Sequence, residues 1–168
     1  MKIENKASMQ EINKVWETQY RIRFSDCDPF NHLNNSKYID YFINAREDHL
    51  LQFHHFDVYE RIQGEGTGWV IGKNEIVYLR PALLMETVVI KSTILKIDEK
   101  NIFVEMSMWD EQKTRLKALL WTTFVYYNRK TQRPEKHDEV FMNQFQPYEN
   151  LSVNTVSIDE RARQLRKS

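Results

Sequence analysis

The residues of this chain that could carry out chemistry are concentrated in one short stretch, residues 25–38. Its polar members include two carboxylates, a histidine and two adjacent asparagines: Asp26, Asp28, His32, Asn34 and Asn35. An amphipathic helix is predicted directly after them. A carboxylate that faces a helix N-terminus can activate water on one side of a carbonyl, while backbone N–H groups hold the carbonyl oxygen on the other side. The stretch therefore predicts acyl transfer or ester hydrolysis.

Two regular elements are expected to position this stretch. Residues 17–24 alternate in polarity, which predicts a strand that ends at the loop. Apolar residues then recur at three- and four-residue spacing, which predicts one helix from about 35 to 53. Asn34, Asn35 or Ser36 is suited to cap that helix. Its apolar face is expected to pack on a sheet.

The rest of the chain predicts an antiparallel sheet. After a connector at 54–66, Val-, Ile- and Tyr-rich segments predict four further strands. These strands cover 67–79, 87–97, 102–109 and 116–127. Short polar turns separate the last three, as in a meander. A small helix is predicted over 135–146, so residues 1–146 form one α+β domain and residues 147–168 a polar peripheral tail.

Composition excludes several classes of function. The chain has 168 residues, with 24 basic and 24 acidic side chains, so no global field favours nucleic acid or a membrane surface. Its single cysteine, Cys27, excludes an internal disulfide framework. No apolar run is long enough to span a bilayer, and residues 1–7 lack the apolar core of a signal peptide. We expect a cytoplasmic protein with no nucleic-acid or membrane partner.

The stretch from Asp26 to Tyr38 resembles the Asp-x-Asp-(x3)-His-x-Asn-Asn-(x2)-Tyr signature of hotdog-fold acyl-CoA thioesterases that are similar to 4-hydroxybenzoyl-CoA thioesterase. The similarity continues through residues 41–47 and 78–82 and, with the predicted strand order, covers about 17–128. It implies one antiparallel sheet wrapped around a long central helix. It also implies hydrolysis of acyl-CoA to a free acid and CoA, without a metal or other cofactor.

The resemblance assigns roles to individual residues. Asp28 matches the catalytic carboxylate, as general base or as nucleophile, and both alternatives remain open. The backbone N–H of Asn35 matches the group that polarises the thioester carbonyl. His32 is expected to assist at the site or to brace the loop. Tyr38 and Phe42 are candidates for the acyl pocket.

Simpler structural roles compete with several of these assignments. Asp28 can cap backbone N–H groups in an Asx turn, and Asn34, a candidate substrate contact, is also a natural helix cap. Asp26 is expected to hold the loop together by hydrogen bonds. Glu47 is a second candidate carboxylate, because some hotdog thioesterases use an acid on the helix, but a surface or interface ion pair beside Arg46 is favoured.

Two further observations leave the function open at a finer level. Plant acyl-ACP thioesterases have an Asp-x-Asn-x-His pattern in this loop, and here Phe30 occupies the position of the intervening asparagine, with Asn31 a speculative substitute. The alternatives are an acyl-ACP thioesterase and a non-catalytic protein that binds acyl thioesters.

A single sheet leaves one face and one edge exposed, so a homodimer or homotetramer is expected.

Overall fold

A computed structural model describes residues 12–153 and 157–167 of the chain. The prediction that residues 1–7 lack a signal peptide lies outside the described residues. Among the described residues, no helix is long and apolar enough to cross a membrane.

The strands form one antiparallel sheet. They are β1 (Trp16–Arg21), β2 (Thr67–Tyr78), β3 (Thr87–Ile97), β4 (Asn101–Asp110), β5 (Leu116–Asn128) and β6 (Arg133–Pro134). The order across the sheet is β1-β3-β4-β5-β2, and the short β6 pairs with the end of β5. All of the predicted strands are present, with ends that differ from the expected ones by at most three residues. The order places β2 at an edge, where one side of its backbone has no partner strand in the described chain.

Within residues 12–153 and 157–167, four α-helices accompany the sheet. They are α1 (Tyr38–His54), α2 (Val58–Glu65), α3 (Glu139–Phe145) and α4 (Ile158–Leu165). The predicted long helix is present, but its first turn, Asn35–Lys37, is a 3₁₀ turn. The small helix predicted over 135–146 is also present, as α3.

The expectation of a connector at 54–66 missed α2. The Asp57 side chain accepts hydrogen bonds from the N–H groups of Tyr59 (2.8 Å) and Glu60 (3.3 Å), which caps the helix start. Gly66 ends the helix in the left-handed region at φ 75°, which glycine adopts without steric cost. These cap signals were present in the sequence, but the segment between them is too short for its periodicity to predict a helix.

The long helix packs across the concave face of the sheet. Its Phe42 and Ala45 are fully buried against strand residues that project to the same side. Those strand residues include Val88, Ile90, Ile94, Met106, Met108 and Leu120. Because side chains alternate along a strand, the neighbouring residues Val89 and Leu119 face the opposite, convex side. Curled around α1 in this way, the sheet has the hotdog fold.

The predicted polar tail contains a helix that packs on the convex face. Ser157 caps α4 through the N–H of Glu160 (3.2 Å), and Ile158 and Ala162 are buried in a cluster with Leu119. The expectation of a peripheral tail is therefore wrong for residues 158–165. The apolar positions of this one short helix are few, so the polar composition of the segment hid them.

An ion pair attaches α4 to the sheet. Glu105 of β4 is only 5% exposed, and both of its oxygens accept hydrogen bonds from the Arg161 guanidinium at 2.8–3.1 Å. The Trp121 ring N–H also donates to Glu105 (2.9 Å). The buried carboxylate is thus fully satisfied only while α4 is in place.

We expect Arg161→Met to lower the free energy of unfolding by about 3 kcal/mol, because it leaves the Glu105 charge buried without its cation. Urea unfolding followed by circular dichroism measures the change. Arg163→Met is the matched control, since Arg163 is exposed on the same helix and should change stability by less than about 0.5 kcal/mol. Adding Glu105→Gln to Arg161→Met should recover part of the loss. Equal stability of the two arginine variants would contradict the prediction.

Candidate active site

The loop before α1 is a tight hairpin. Cys27 and Leu33 form an antiparallel bridge, and the Asp28 N–H donates to the His32 carbonyl (2.8 Å). Asn31 lies at the tip with φ 61°, and its N–H donates to the Asp28 carbonyl (3.0 Å). Asparagine tolerates this left-handed conformation better than most residues. Asn31 therefore has a turn role that is sufficient to explain its presence.

The hairpin is attached to the segment between β2 and β3. The Leu33 N–H donates to the Ala82 carbonyl (2.8 Å), and the Leu84 N–H donates to the Asn31 carbonyl (2.9 Å). The Ala82 N–H in turn donates to the Tyr38 hydroxyl (3.0 Å). These bonds join the loop, the start of α1 and the sheet, so they hold the candidate residues in one fixed arrangement.

The carboxylate of Asp28 is oriented by the backbone. Its Oδ1 accepts hydrogen bonds from the N–H groups of Phe30 (2.9 Å) and His32 (3.1 Å). Its Oδ2 accepts none from the residues that the structure describes, and the side chain is half-buried. The turn-capping role expected of this residue is thus present on one oxygen, and the other oxygen remains available to a substrate or water.

Asp26 has the bracing role that was predicted for it. Its Oδ2 accepts a hydrogen bond from the Tyr41 hydroxyl (2.8 Å), and its carbonyl accepts one from the Asn34 N–H (2.9 Å). The Tyr41 hydroxyl also accepts from the Arg23 N–H (3.2 Å). Burial, with a further contribution from Asp26, raises the pKa of Tyr41. The Tyr41 hydroxyl therefore keeps its proton at neutral pH and remains a donor to Asp26.

The helix start provides a free donor. Asn34 is the cap, and its side chain accepts from the Ser36 N–H (3.0 Å) and hydroxyl (2.9 Å). The Asn35 N–H is paired with no acceptor within residues 12–153 and 157–167, as expected for the first residue of a helical turn. The Asn35 carbonyl accepts from the Tyr78 hydroxyl (3.1 Å), which anchors this residue to β2.

The remaining loop side chains are less constrained. The His32 ring lies 6.4 Å from the Phe30 ring, centroid to centroid, and forms no side-chain hydrogen bond in the described part of the chain. Phe30 is 79% exposed. Burial, with added contributions from Asp26 and Asp28, raises the pKa of Cys27, which leaves its thiol a poor nucleophile at neutral pH.

The two predicted pocket residues are core residues in this structure. Tyr38 and Phe42 are 2% and 0% exposed, and neither lines a described cavity. Tyr38 also contacts Tyr78 edge to face, with ring centroids 5.2 Å apart. The structure thus places both beneath the helix start, beside the candidate site, and their contact with an acyl group stays a prediction.

An apolar cavity of about 260 Å³ lies farther along α1. It opens to solvent and is lined by α1, the concave face of the sheet, α2 and α3. Its lining includes Ile43, Arg46, Glu47, Leu50, Phe56, Tyr59, Trp69, Val104, Phe124 and Phe141. The sequence did not predict this cavity, because two of its walls come from helices whose packing depends on contacts distant in the chain.

The surface or interface ion pair expected around Glu47 and Arg46 is absent from the described structure. Glu47 accepts a hydrogen bond from the Tyr59 hydroxyl of α2 (2.8 Å). Arg46 points inward and is 5% exposed, and burial lowers its pKa to about 10. The guanidinium therefore remains charged at neutral pH. Consecutive positions on a helix point in different directions, which separates the two side chains.

Buried polar side chains surround Arg46. His49 is fully buried, with Nδ1 2.7 Å from the Ser92 hydroxyl and Nε2 2.8 Å from the Thr18 hydroxyl. Burial and the nearby Arg46 charge lower the pKa of His49 to about 4, and the same two causes lower the pKa of His54 to about 4. No group of three or more His, Cys, Asp or Glu residues in the described ranges is placed to hold a metal ion.

Comparisons with known proteins show the family to which this chain belongs. The profile of the thioesterase-like superfamily matches residues 22–145. The long-chain acyl-CoA thioesterase FadM of Escherichia coli (strain K12) is 26% identical over 117 residues, which are 70% of this chain and 86% of FadM.

Two solved structures show the same fold. SAV2348 from Staphylococcus aureus, solved in complex with CoA, has a TM-score of 0.75 at 16% identity, covering 90% of this chain and 99% of that one. DHNA-CoA thioesterase from Staphylococcus aureus has a TM-score of 0.71 at 17% identity, covering 80% of this chain and 88% of that one.

The chain belongs to the thioesterase-like superfamily of hotdog proteins. The match includes the loop, α1, the sheet from β2 to β5 and α3. The helix α4 lies beyond the residues that this profile matches.

The buried histidines predict a pH-dependent stability. Their pKa values are lower in the folded chain than the ordinary 6.5, so the unfolded chain binds more protons as pH falls from about 6.5 towards 4. Their contribution to stability is complete above about pH 6.5 and declines through this window. The loss in unfolding free energy between about pH 7 and about pH 5 should be smaller in His49→Gln than in the wild type.

Urea titrations at the two pH values measure that difference. His55→Asn is the matched control, because His55 is exposed and has a left-handed backbone that asparagine accepts, and it should keep the wild-type pH dependence. A wild-type pH dependence in His49→Gln would contradict the assignment of a buried, neutral imidazole.

Proposed function

We propose that this chain is an acyl-CoA thioesterase that hydrolyses the thioester to a free carboxylic acid and CoA. The observation that carries the proposal is the pairing of an oriented carboxylate with a free helix-start donor. Backbone N–H groups hold Asp28 at one oxygen, and its other oxygen accepts no hydrogen bond from the described residues. The Asn35 N–H, at the start of the helix that follows this loop, has no partner in the described chain. Membership of the thioesterase-like superfamily and the similarity to FadM support the same reaction.

Each group has a defined role in this proposal. The open Asp28 oxygen activates water or attacks the thioester carbonyl directly. The Asn35 N–H, together with the positive end of the α1 dipole, stabilises the oxyanion that develops on the carbonyl oxygen. One such donor contributes about 3–4 kcal/mol to the transition state. Asn34 fixes the turn that presents this N–H.

His32 is proposed to assist at the same site. Its N–H orients Asp28, and its ring is free of side-chain hydrogen bonds within the described residues, so the ring can donate a proton to the leaving thiolate. Tyr38 and Phe42 are proposed to support the acyl group from below the helix start. They do so as buried residues that set the position of α1, since both lie in the core.

A second copy of the chain is the proposed protein partner. The edge strand β2 has twelve residues, and Val70, Ile71 and Tyr78 are each more than 40% exposed along it. Such an edge invites pairing with another strand. Tyr78 also anchors Asn35, so an assembly through this edge would lie beside the candidate site. The cytoplasmic location remains a prediction from the amino-acid sequence.

Asp28→Asn should reduce kcat for acyl-CoA hydrolysis by about 10²-fold or more, because the amide cannot accept a proton or attack the carbonyl. Thiol release over a panel of acyl-CoA chain lengths measures the rate. The variant should keep the wild-type melting temperature, since its remaining oxygen still caps the turn. Asp40→Asn is the matched control, an exposed carboxylate on the first turn of α1.

Near-normal hydrolysis by Asp28→Asn would reject the assignment, and Glu47→Gln would then be the next variant to measure. Wild-type protein that binds acyl-CoA but releases no thiol would favour the non-catalytic alternative, which the departure at Phe30 suggests. Faster turnover of a matched acyl-ACP would favour that carrier instead of CoA.

Light scattering during size-exclusion chromatography should give a mass of two or four times the 20.3 kDa chain. The reason is that a long, partly apolar sheet edge is more stable when it is paired. A monomer with full thioesterase activity would contradict the proposed assembly.

A further inference from the structure

The central helix buries a cation that lacks an acidic partner. Arg46 is 5% exposed, and no carboxylate oxygen of the described chain lies within 4.0 Å of its nitrogens. Its guanidinium donates one hydrogen bond, to the Ser92 hydroxyl (3.3 Å), and lies 5.7 Å from the centre of the Trp16 ring. A guanidinium has five N–H donors, so most of its donor capacity is unused here.

The surroundings do not neutralise this charge. Its titratable neighbours His49 and His54 are kept neutral at physiological pH by burial and by Arg46 itself. His54 Nε2 is, moreover, buried without a hydrogen-bond partner. Buried charges in proteins are ordinarily paired, because desolvation costs several kcal/mol per ion. The acidic side chains nearest to this region do not pair with Arg46, since Glu17 pairs with Lys91 and Lys113 and Glu47 bonds to the Tyr59 hydroxyl. The guanidinium is therefore available to an anion.

Arg46 also lines the apolar cavity between α1, the sheet, α2 and α3. Most of the other walls are aliphatic or aromatic, including Ile43, Val104 and Phe124. Glu47 is an acidic member of the lining; one of its oxygens accepts a hydrogen bond from the Tyr59 hydroxyl (2.8 Å), and it forms no ion pair within the described chain. The cavity thus combines an apolar volume with one buried cation, which is the combination that binds a fatty carboxylate.

We propose that this cavity binds an aliphatic monocarboxylate of about eight carbons, with the carboxylate accepting hydrogen bonds from Arg46. The chain length follows from volume: an apolar cavity of about 150 Å³ holds a six-atom ring, so 260 Å³ holds about ten non-hydrogen atoms. Octanoate has ten. The carboxylate would neutralise the charge of the buried guanidinium through charge-assisted hydrogen bonds. The hydrocarbon would fill the cavity and make van der Waals contacts with its walls.

This site is distinct from the proposed reaction centre. Arg46 follows Asn35 by eleven residues, which is about 16 Å along the helix axis. The carboxylic acid released by thioester hydrolysis is one ligand of the proposed class. Binding can, however, be measured without turnover, so the inference does not depend on the proposed activity.

Calorimetric titration of the full chain with octanoate tests the inference, with 1-octanol as the neutral probe of equal chain length. Octanoate should bind at least about 10-fold more tightly than 1-octanol, which corresponds to about 1.4 kcal/mol. Arg46→Met should remove that preference, and Arg46→Lys should keep part of it. Octanoate should also raise the pKa of His54, measured by NMR, because it neutralises a charge that lowers this pKa.

A second pair of variants keeps the test decisive if Arg46→Met does not fold. Ile43→Trp fills the cavity and should abolish octanoate binding, whereas Ile39→Trp, one turn earlier and outside the lining, should not. Asp28→Asn should bind octanoate normally, which separates this site from the reaction centre. No octanoate binding by the wild type, or undiminished preference for octanoate in Arg46→Met, would overturn the inference.

Discussion

The packing of α1 across the concave face of the sheet is the constraint on which the rest of this structure depends. Phe42 and Ala45 are fully buried against the middle strands, so the helix has little freedom to slide or rotate. The position of Asn35 follows from that packing, since it lies one 3₁₀ turn before the helix. A fixed helix therefore means a fixed backbone donor, which is a requirement for electrostatic stabilisation of an oxyanion.

The loop that carries Asp28 is rigid for a different reason. It has few buried apolar side chains, and its geometry rests on backbone hydrogen bonds to Ala82 and Leu84 and on the Asp26–Tyr41 bond. Both sides of the candidate site are thereby attached to the same frame, one through packing and the other through hydrogen bonds. The loop that carries Asp28 and the turn that carries Asn35 are therefore held in one arrangement by contacts within the described chain.

The two faces of the sheet differ in whether the buried charge beside them has a partner of opposite charge. On the convex face, Glu105 is buried and fully paired with Arg161, so the charge attaches α4 to the sheet. On the concave face, Arg46 is buried beside an apolar cavity. It contacts the Ser92 hydroxyl and the Trp16 ring but pairs with no carboxylate of the described chain. The paired charge of Glu105 stabilises the fold, whereas the unpaired charge of Arg46 is the group that we propose binds a ligand.

The amino-acid sequence alone determined the central helix, the strands of the sheet and the Asp28-to-Asn35 signature, because each is encoded by local periodicity or by closely spaced residues. It also predicted the bracing role of Asp26. Tertiary structure decided the features that depend on distant contacts. The helix α2 was missed because the segment between its caps is too short to show a helical periodicity, and α4 was hidden in a polar segment. Three further features depend on how separate elements pack together, which no local pattern records. They are the inward direction of Arg46, the hydrogen bond from Tyr59 to Glu47 and the cavity between α1, the sheet, α2 and α3.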